Sequence, residues 1–277
     1  LGRRKKKTKL LFNLSLKNGN MKIEKLQGET MRIISFLNFK GGVGKTTSTH
    51  SIGAGLSKLG KKVLLIDLDP QGTLTFFSVE GDVASTSREL LFNELPLEEC
   101  ITKCGEFDLI ASNIKLAISE LELNAHYGKE FRLKNAISKA QTDYDYILID
   151  CPPSLSVFTL NALTASSDLI IPCECELASL EGLDLLLATL KTPINTLNPD
   201  LNILGILPTK LDARKKISKE AYEVIKEEHE RVFTPIRVNS KLSELGLSKV
   251  SIFKHDPSSN GAKDYIKVAK EIINGGK

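Results

Sequence analysis

The stretch Phe39-Lys40-Gly41-Gly42-Val43-Gly44-Lys45-Thr46-Thr47 joins a short apolar run to a segment of helical periodicity. Glycines in such a turn let backbone N–H groups converge on an anion because no Cβ blocks the approach, and the helix start adds partial positive charge. In that setting Gly41, Gly42, Val43, Gly44 and Thr47 form a cradle, Lys45 lies on the β- and γ-phosphates, and the Thr46 hydroxyl ligates Mg²⁺. The spacing departs from the usual phosphate loop in one place. Phe39 stands where a glycine is customary, and Lys40 precedes Gly41 instead. Two lysines bracketing one loop supply more cation than a single triphosphate held by one protomer requires.

Three acids complete the set. Asp67 and Asp69 close the run Val63-Leu64-Leu65-Ile66 at the carboxyl end of a strand. Asp150 closes Tyr146-Ile147-Leu148-Ile149 just before Pro152-Pro153.

These groups need a scaffold. Apolar runs at 33–37, 63–67, 107–111, 146–150, 168–172 and 203–207 read as buried strands. Between them lie helix-period segments: 48–59, one or two helices within 116–140 broken near Gly128, the Leu180/Leu183/Leu187/Leu190 stripe, a charged helix over 217–232, and a last helix carrying Ala262, Tyr265, Ile266, Ala269, Ile272 and Ile273. Continuous Val/Ile/Leu strands alternating with helices predict an α/β fold: a doubly wound, mostly parallel sheet with helices on both faces, forming one domain over 31–277. Ligands in such sheets sit at the carboxyl ends of the strands, where the loop and the acids fall.

Composition is that of an ordinary globular chain of 277 residues, 41% hydrophobic and 26% charged. No run reaches the ~18 uninterrupted apolar residues of a spanning helix. The net charge of +4 is uneven: seven basic residues and no acid fall in 1–20, leaving a body of net −3. Residues 1–30 are expected to be a flexible basic extension. Nucleic-acid binding therefore has to rest on a local patch. The five cysteines, an odd number without Cys-x-x-Cys spacing, read as reduced core thiols, and the four histidines show no metal spacing.

The residues from Lys40 to Thr47 resemble the deviant phosphate loop of the ParA/MinD group of P-loop NTPases. Asp67-Leu68-Asp69-Pro70-Gln71-Gly72, Ile147 to Pro153, Leu180-Glu181-Gly182-Leu183, Thr209 to Arg214 and Asp256 to Ala262 resemble later blocks of its ParA/Soj branch. The resemblance implies a weak ATPase, with ATP and Mg²⁺ as cofactors. It implies a homodimer with ATP, in which Lys40 reaches the partner's nucleotide. Asp69 would orient the attacking water, with Asp67 near the Mg²⁺ shell and Asp150 holding Mg²⁺ through water. Asn239 matches a position on the adenine side, although Arg237-Val238 replaces the family's Pro-Arg pair. Arg214 and Lys241 align with nonspecific DNA contacts, thickened by Lys210, Lys215 and Lys216. The implied role is segregation of chromosome or plasmid DNA, stimulated by a ParB-like partner, in the cytoplasm on the nucleoid.

Other classes share the loop. A MinD-like membrane-associated positioner carries a basic amphipathic C-terminal helix, which the residues Ile272 to Lys277 do not resemble. A nitrogenase-reductase-like enzyme needs paired cluster cysteines, and Cys151 has no obvious second ligand. A ParA-like ATPase positioning another cargo is a further alternative.

Overall fold

Period-two alternation in the apolar runs decides the layers of this protein. In the computed structural model, which describes residues 15–17, 20–22 and 31–275, β1 (Ser15–Lys17) and β2 (Asn20–Lys22) pair antiparallel. The rest of the basic extension expected over 1–30 lies outside the described residues. The body is built on one sheet of β3 (Arg32–Phe36), β4 (Val63–Asp67), β5 (Ile101–Lys103), β6 (Asp108–Ile110), β7 (Tyr146–Asp150), β8 (Asp168–Glu174) and β9 (Asn202–Thr209), in the order β5-β6-β4-β7-β3-β8-β9. All pairings are parallel except β5 with β6.

Along β4, Leu64 and Ile66 face one core while Val63 and Leu65 face the other; Ile147 and Ile149 of β7 oppose Tyr146 and Leu148 in the same way. Helices α1 (Lys45–Lys58), α2 (Thr73–Ser78), α3 (Ser87–Leu91), α4 (Lys115–Asn124), α5 (Arg132–Lys139) and α6 (Val157–Ala165) come from the first half of the body. The second half supplies α7 (Leu177–Leu197), α8 (Lys216–Glu228), α9 (Ser240–Ser243), α10 (Leu245–Ser248), α11 (Ile252–His255) and α12 (Asn260–Ile273). Ile52 and Leu56 of α1 pack with Tyr265, Val268 and Ile272 of α12 on one face, and Leu116, Leu133, Phe158 and Leu186 cover the other. The doubly wound arrangement read from the sequence is therefore the one observed.

Strand registers set the site. Phe36 and Asp67 are both aligned with Asp150, so three strand ends stand level at one edge of the sheet. The connection from β3 to β4 runs through α1 on one face, and that from β7 to β8 through α6 on the other. The two leave β3 and β7 in opposite directions, which opens a crevice between those strand ends.

Some boundaries differ from expectation. The charged helix stops at Glu228 rather than Val232. Val232 instead forms a parallel bridge with Ile206, with Ile206 N–H donating to Arg231 O at 2.9 Å, so the last apolar residue of the periodic pattern packs half-buried against the core from an extended segment. The antiparallel strand β5 has no counterpart among the expected runs, because Ile101-Thr102-Lys103 is short and mostly polar. The first helix begins at Lys45 rather than Ser48, which puts Lys45 and Thr46 in its opening turn.

Candidate functional site

The loop after β3 is shaped from both sides. Asn38, buried, donates its Nδ2 to Pro172 O at 2.7 Å and accepts the Lys40 N–H on Oδ1 at 2.9 Å. Thr209 Oγ1 donates to Val43 O at 2.7 Å, pinning the far side of the loop to the end of β9. Gly42 (φ 75°) and Gly44 (φ 91°) occupy left-handed conformations that side chains rarely adopt, which is why glycine stands at both. Gly44 caps α1 without a side-chain bond, so the first N–H groups of the helix remain available to an anion.

Lys45 is only 7% exposed. Burial lowers its pKa, and the negative fields of Asp150, Cys151 and Asp69 work against that shift. Its Nζ folds back to Lys40 O at 3.4 Å, a long bond that an incoming phosphate oxygen can replace.

Asp67 and Asp150 lie opposite each other at the ends of β4 and β7, and both are fully buried. Burial, partly offset by hydrogen bonds from Thr75 and Asp69, raises the Asp67 pKa to about 7. Burial and then the proximity of Asp67 raise that of Asp150 well above the usual carboxylate range. Their hydrogen bonding is unequal. Asp67 Oδ2 accepts from Thr75 N and Oγ1 at 2.9 and 2.8 Å, and its Oδ1 accepts the Asp69 N–H at 3.1 Å. Neither oxygen of Asp150 has a hydrogen-bond partner, although the Thr46 hydroxyl is near enough to favour its ionised form. A buried carboxylate without a donor, beside a hydroxyl and facing a second acid, is a donor set that fits a hydrated divalent cation. Asp150 and Thr46 are the open groups there; the oxygens of Asp67 are engaged. Asp69 lies beyond the strand end, half-buried, with Oδ1 accepting the Gln71 N–H at 3.0 Å.

Lys40 behaves differently from Lys45. Its Nζ points away from its own loop to Ser179 Oγ at 3.0 Å and to Glu174 and Glu176, both at 3.4 Å. The second oxygen of Glu174 holds Lys210 at 3.1 Å. None of Asn38, Thr75, Thr209, Glu174 or Ser179 was singled out for these contacts from sequence. Only Asn38 and Thr209 carried any signal there, by adjoining the loop or a recognised block.

The remaining expected residues have partners of their own. Asn239 caps α9 through Lys241 N–H at 2.9 Å, half-buried rather than free. Arg237, in place of the family's Pro-Arg pair, forks onto Asp264 at 2.6 and 2.9 Å. Arg214 forks onto Asp212 at 3.0 and 3.1 Å with its side chain 86% exposed, and holds the Asp212 pKa down at about 2. Lys241 pairs with Glu244 at 3.1 Å, and Glu244 also meets His255 Nε2 at 2.8 Å. The cysteines are free; Cys104 is half-buried and the other four are buried. Burial raises the Cys151 thiol far above its usual value, in keeping with core thiols.

Comparison with known proteins places this arrangement. A family model described as an AAA domain matches residues 31–203. The chain is 42% identical over 251 residues to the sporulation initiation inhibitor protein Soj of Bacillus subtilis, covering 88% of this chain and 99% of that one. It is 36% identical over 248 residues to the chromosome partitioning protein ParA of Myxococcus xanthus, covering 87% and 88%. Its fold superposes with a TM-score of 0.78 on cobyrinic acid a,c-diamide synthase from Mycobacterium smegmatis with bound ATP analogue and magnesium, at 35% identity and 88% and 95% coverage.

Proposed function

The chain belongs to the ParA/Soj family of partition ATPases, and from that premise we propose that it is an ATP-dependent dimerising switch that binds DNA without sequence preference and segregates chromosome or plasmid DNA. Residues 31–277 act as one ATPase domain in this reading. The observation that carries it is the divergence of the two loop lysines. Lys45 bends back onto its own loop, whereas the Lys40 ammonium leaves that loop for Glu174, Glu176 and Ser179. A cation aimed outward from the phosphate cradle is placed to serve a second protomer.

Binding is the work of this chain's own groups. The N–H groups of Gly41, Gly42, Val43, Gly44 and the opening turn of α1 receive the phosphates, and Lys45 exchanges its long bond to Lys40 O for a phosphate oxygen. Thr47 completes the cradle, and Asn239 lies toward the base. Thr46 and Asp150 hold Mg²⁺, with Asp67 beside them; the ion, when bound, neutralises charge across the phosphates. The Asp69 carboxylate orients the attacking water. Lys40 from the partner adds positive charge where it develops on the transferring phosphoryl group, which makes dimerisation depend on ATP. Closing the dimer brings two copies of the Arg214 and Lys241 patch, with Lys210, Lys215 and Lys216, onto one DNA-binding face; contacts of this kind are to backbone phosphates. A ParB-like partner stimulates hydrolysis and releases the switch, in the cytoplasm on the nucleoid. No helix among the described residues is long and apolar enough to cross a membrane.

The test is a gel shift on random-sequence DNA with ADP, ATP and a nonhydrolysable ATP analogue. Retardation with ATP and the analogue but not with ADP is expected. Equal retardation with ADP, or binding to anionic liposomes in place of DNA, contradicts the reading.

A further inference from the structure

The loop that carries Asp69 is anchored from behind by Thr75, in the first turn of α2. The Thr75 hydroxyl donates to Asp67 Oδ2 at 2.8 Å and accepts the Ser112 N–H at 2.8 Å, while its backbone N–H donates to the same Asp67 oxygen at 2.9 Å. Asp67 Oδ1 in turn accepts the Asp69 N–H at 3.1 Å. The bonds run without a break from Ser112, just past the end of β6, through Thr75 and Asp67 to Asp69. Gly72 tightens the same turn. Its φ is 61°, and a Cβ there would come within 3.0 Å of Ser112 O, so the loop is pressed against the residue that begins the chain of bonds. Gln71 N–H then commits one oxygen of Asp69 at 3.0 Å.

The backbone N–H of Thr75 would serve Asp67 whatever side chain stood there, as a helix-start N–H does. The hydroxyl does more: it is the group that joins Asp67 to Ser112. Without it a buried carboxylate loses a donor and a backbone N–H loses its acceptor. We propose that Thr75 is a positioning residue for hydrolysis: its hydroxyl fixes Asp67, Asp67 fixes the backbone of Asp69, and the Asp69 carboxylate is thereby held where it orients water. This rests on the reading of Asp69 given above. Small displacements of a positioned group weaken the chemical step far more than ground-state binding.

Thr75→Val keeps the shape and the backbone donor and removes only the hydroxyl. In single-turnover hydrolysis by the full chain, the variant is expected to slow by at least about 10-fold while its affinity for a nonhydrolysable ATP analogue stays within about 2-fold. Thr75→Ser is expected to restore the rate. Should the valine variant not fold, Thr75→Ala is read in the same way. A Thr75→Val rate equal to wild type, a parallel loss of analogue affinity, or a serine variant as slow as the valine one overturns the proposal. Asp69→Ala, measured alongside, separates the two readings. If it hydrolyses normally, the assignment of Asp69 fails and this inference with it; if it is inactive while Thr75→Val is normal, only the role of Thr75 fails.

Discussion

Asp67 and Asp150 are register partners across β4 and β7, both wholly buried, yet Asp67 accepts three hydrogen bonds and Asp150 none. Two acids so close out of water repel each other, and the pair is relieved when a cation joins it.

Asp150→Asn therefore separates cation binding from folding. The wild type is expected to gain more thermal stability from Mg·ATP than from ATP with EDTA, whereas the variant shows no magnesium increment. The nucleotide-free variant is expected to melt no lower than wild type near neutral pH, since it loses only a carboxylate that burial and Asp67 already disfavour in its charged form. A magnesium increment that survives the substitution contradicts the assignment of Asp150.

Much of this site was legible because its parts are contiguous. The phosphate loop, the Asp67/Asp69 pair and Asp150 each end an apolar run, and the period-two burial of Leu64, Leu65 and Ile66 follows from parallel strands covered on both faces. What stayed hidden is set by contacts between distant segments. Thr75 matters because the fold brings Ser112 to it, and Glu174 because Lys40 and Lys210 converge on its two oxygens. Val232 matches a helical period, yet it meets the core half-buried from an extended segment that pairs with Ile206. Asn239 caps a helix, a place that asparagine favours by type but that its match to the adenine side did not suggest.

Acid sensitivity should have a component from His50. The ring is buried edge-on to Phe77 and Phe107, its Nδ1 has no partner, and burial lowers its pKa from 6.5 to about 4. The unfolded chain binds that proton between pH 6.5 and 4 and the folded one does not, so stability is complete above about 6.5 and is lost as pH falls toward 4. The shift corresponds to on the order of 3 kcal/mol by the low end of that window. Asp67 acts oppositely, its raised folded pKa removing stability as pH rises from 3.8 to about 7. Denaturant unfolding of wild type and His50→Leu across pH 4–7 isolates the histidine: the stability difference between them should shift in favour of the variant as pH falls. A difference that is constant with pH contradicts the buried neutral ring.

Lys45→Ala should abolish ATP binding, with affinity reduced by at least about 100-fold, since a charge-assisted contact to phosphate in a desolvated site is lost. Titration with a fluorescent ATP analogue reads this directly. Retained micromolar affinity contradicts the assignment of the loop.

The pairing of Arg214 with Asp212 makes a two-sided prediction for DNA. Arg214→Glu should weaken binding equally across sequences and lower the log–log salt slope by about 1, the value for a lost phosphate contact. Asp212→Asn frees the guanidinium from its neighbour and should tighten binding. Fluorescence anisotropy on two unrelated duplexes over a salt series measures both. An effect confined to one sequence, or no salt dependence, argues against a phosphate-reading patch.

The central claim is that one triphosphate is gripped by ammonium groups from two subunits. Light scattering of wild type and Lys40→Ala at saturating Mg²⁺ and nonhydrolysable ATP analogue tests it most directly. The account predicts a dimer mass for wild type and a monomer mass for the variant, with analogue affinity retained within about 10-fold because Lys45 remains. A variant that dimerises as wild type does, or a wild type that stays monomeric with nucleotide bound, contradicts it.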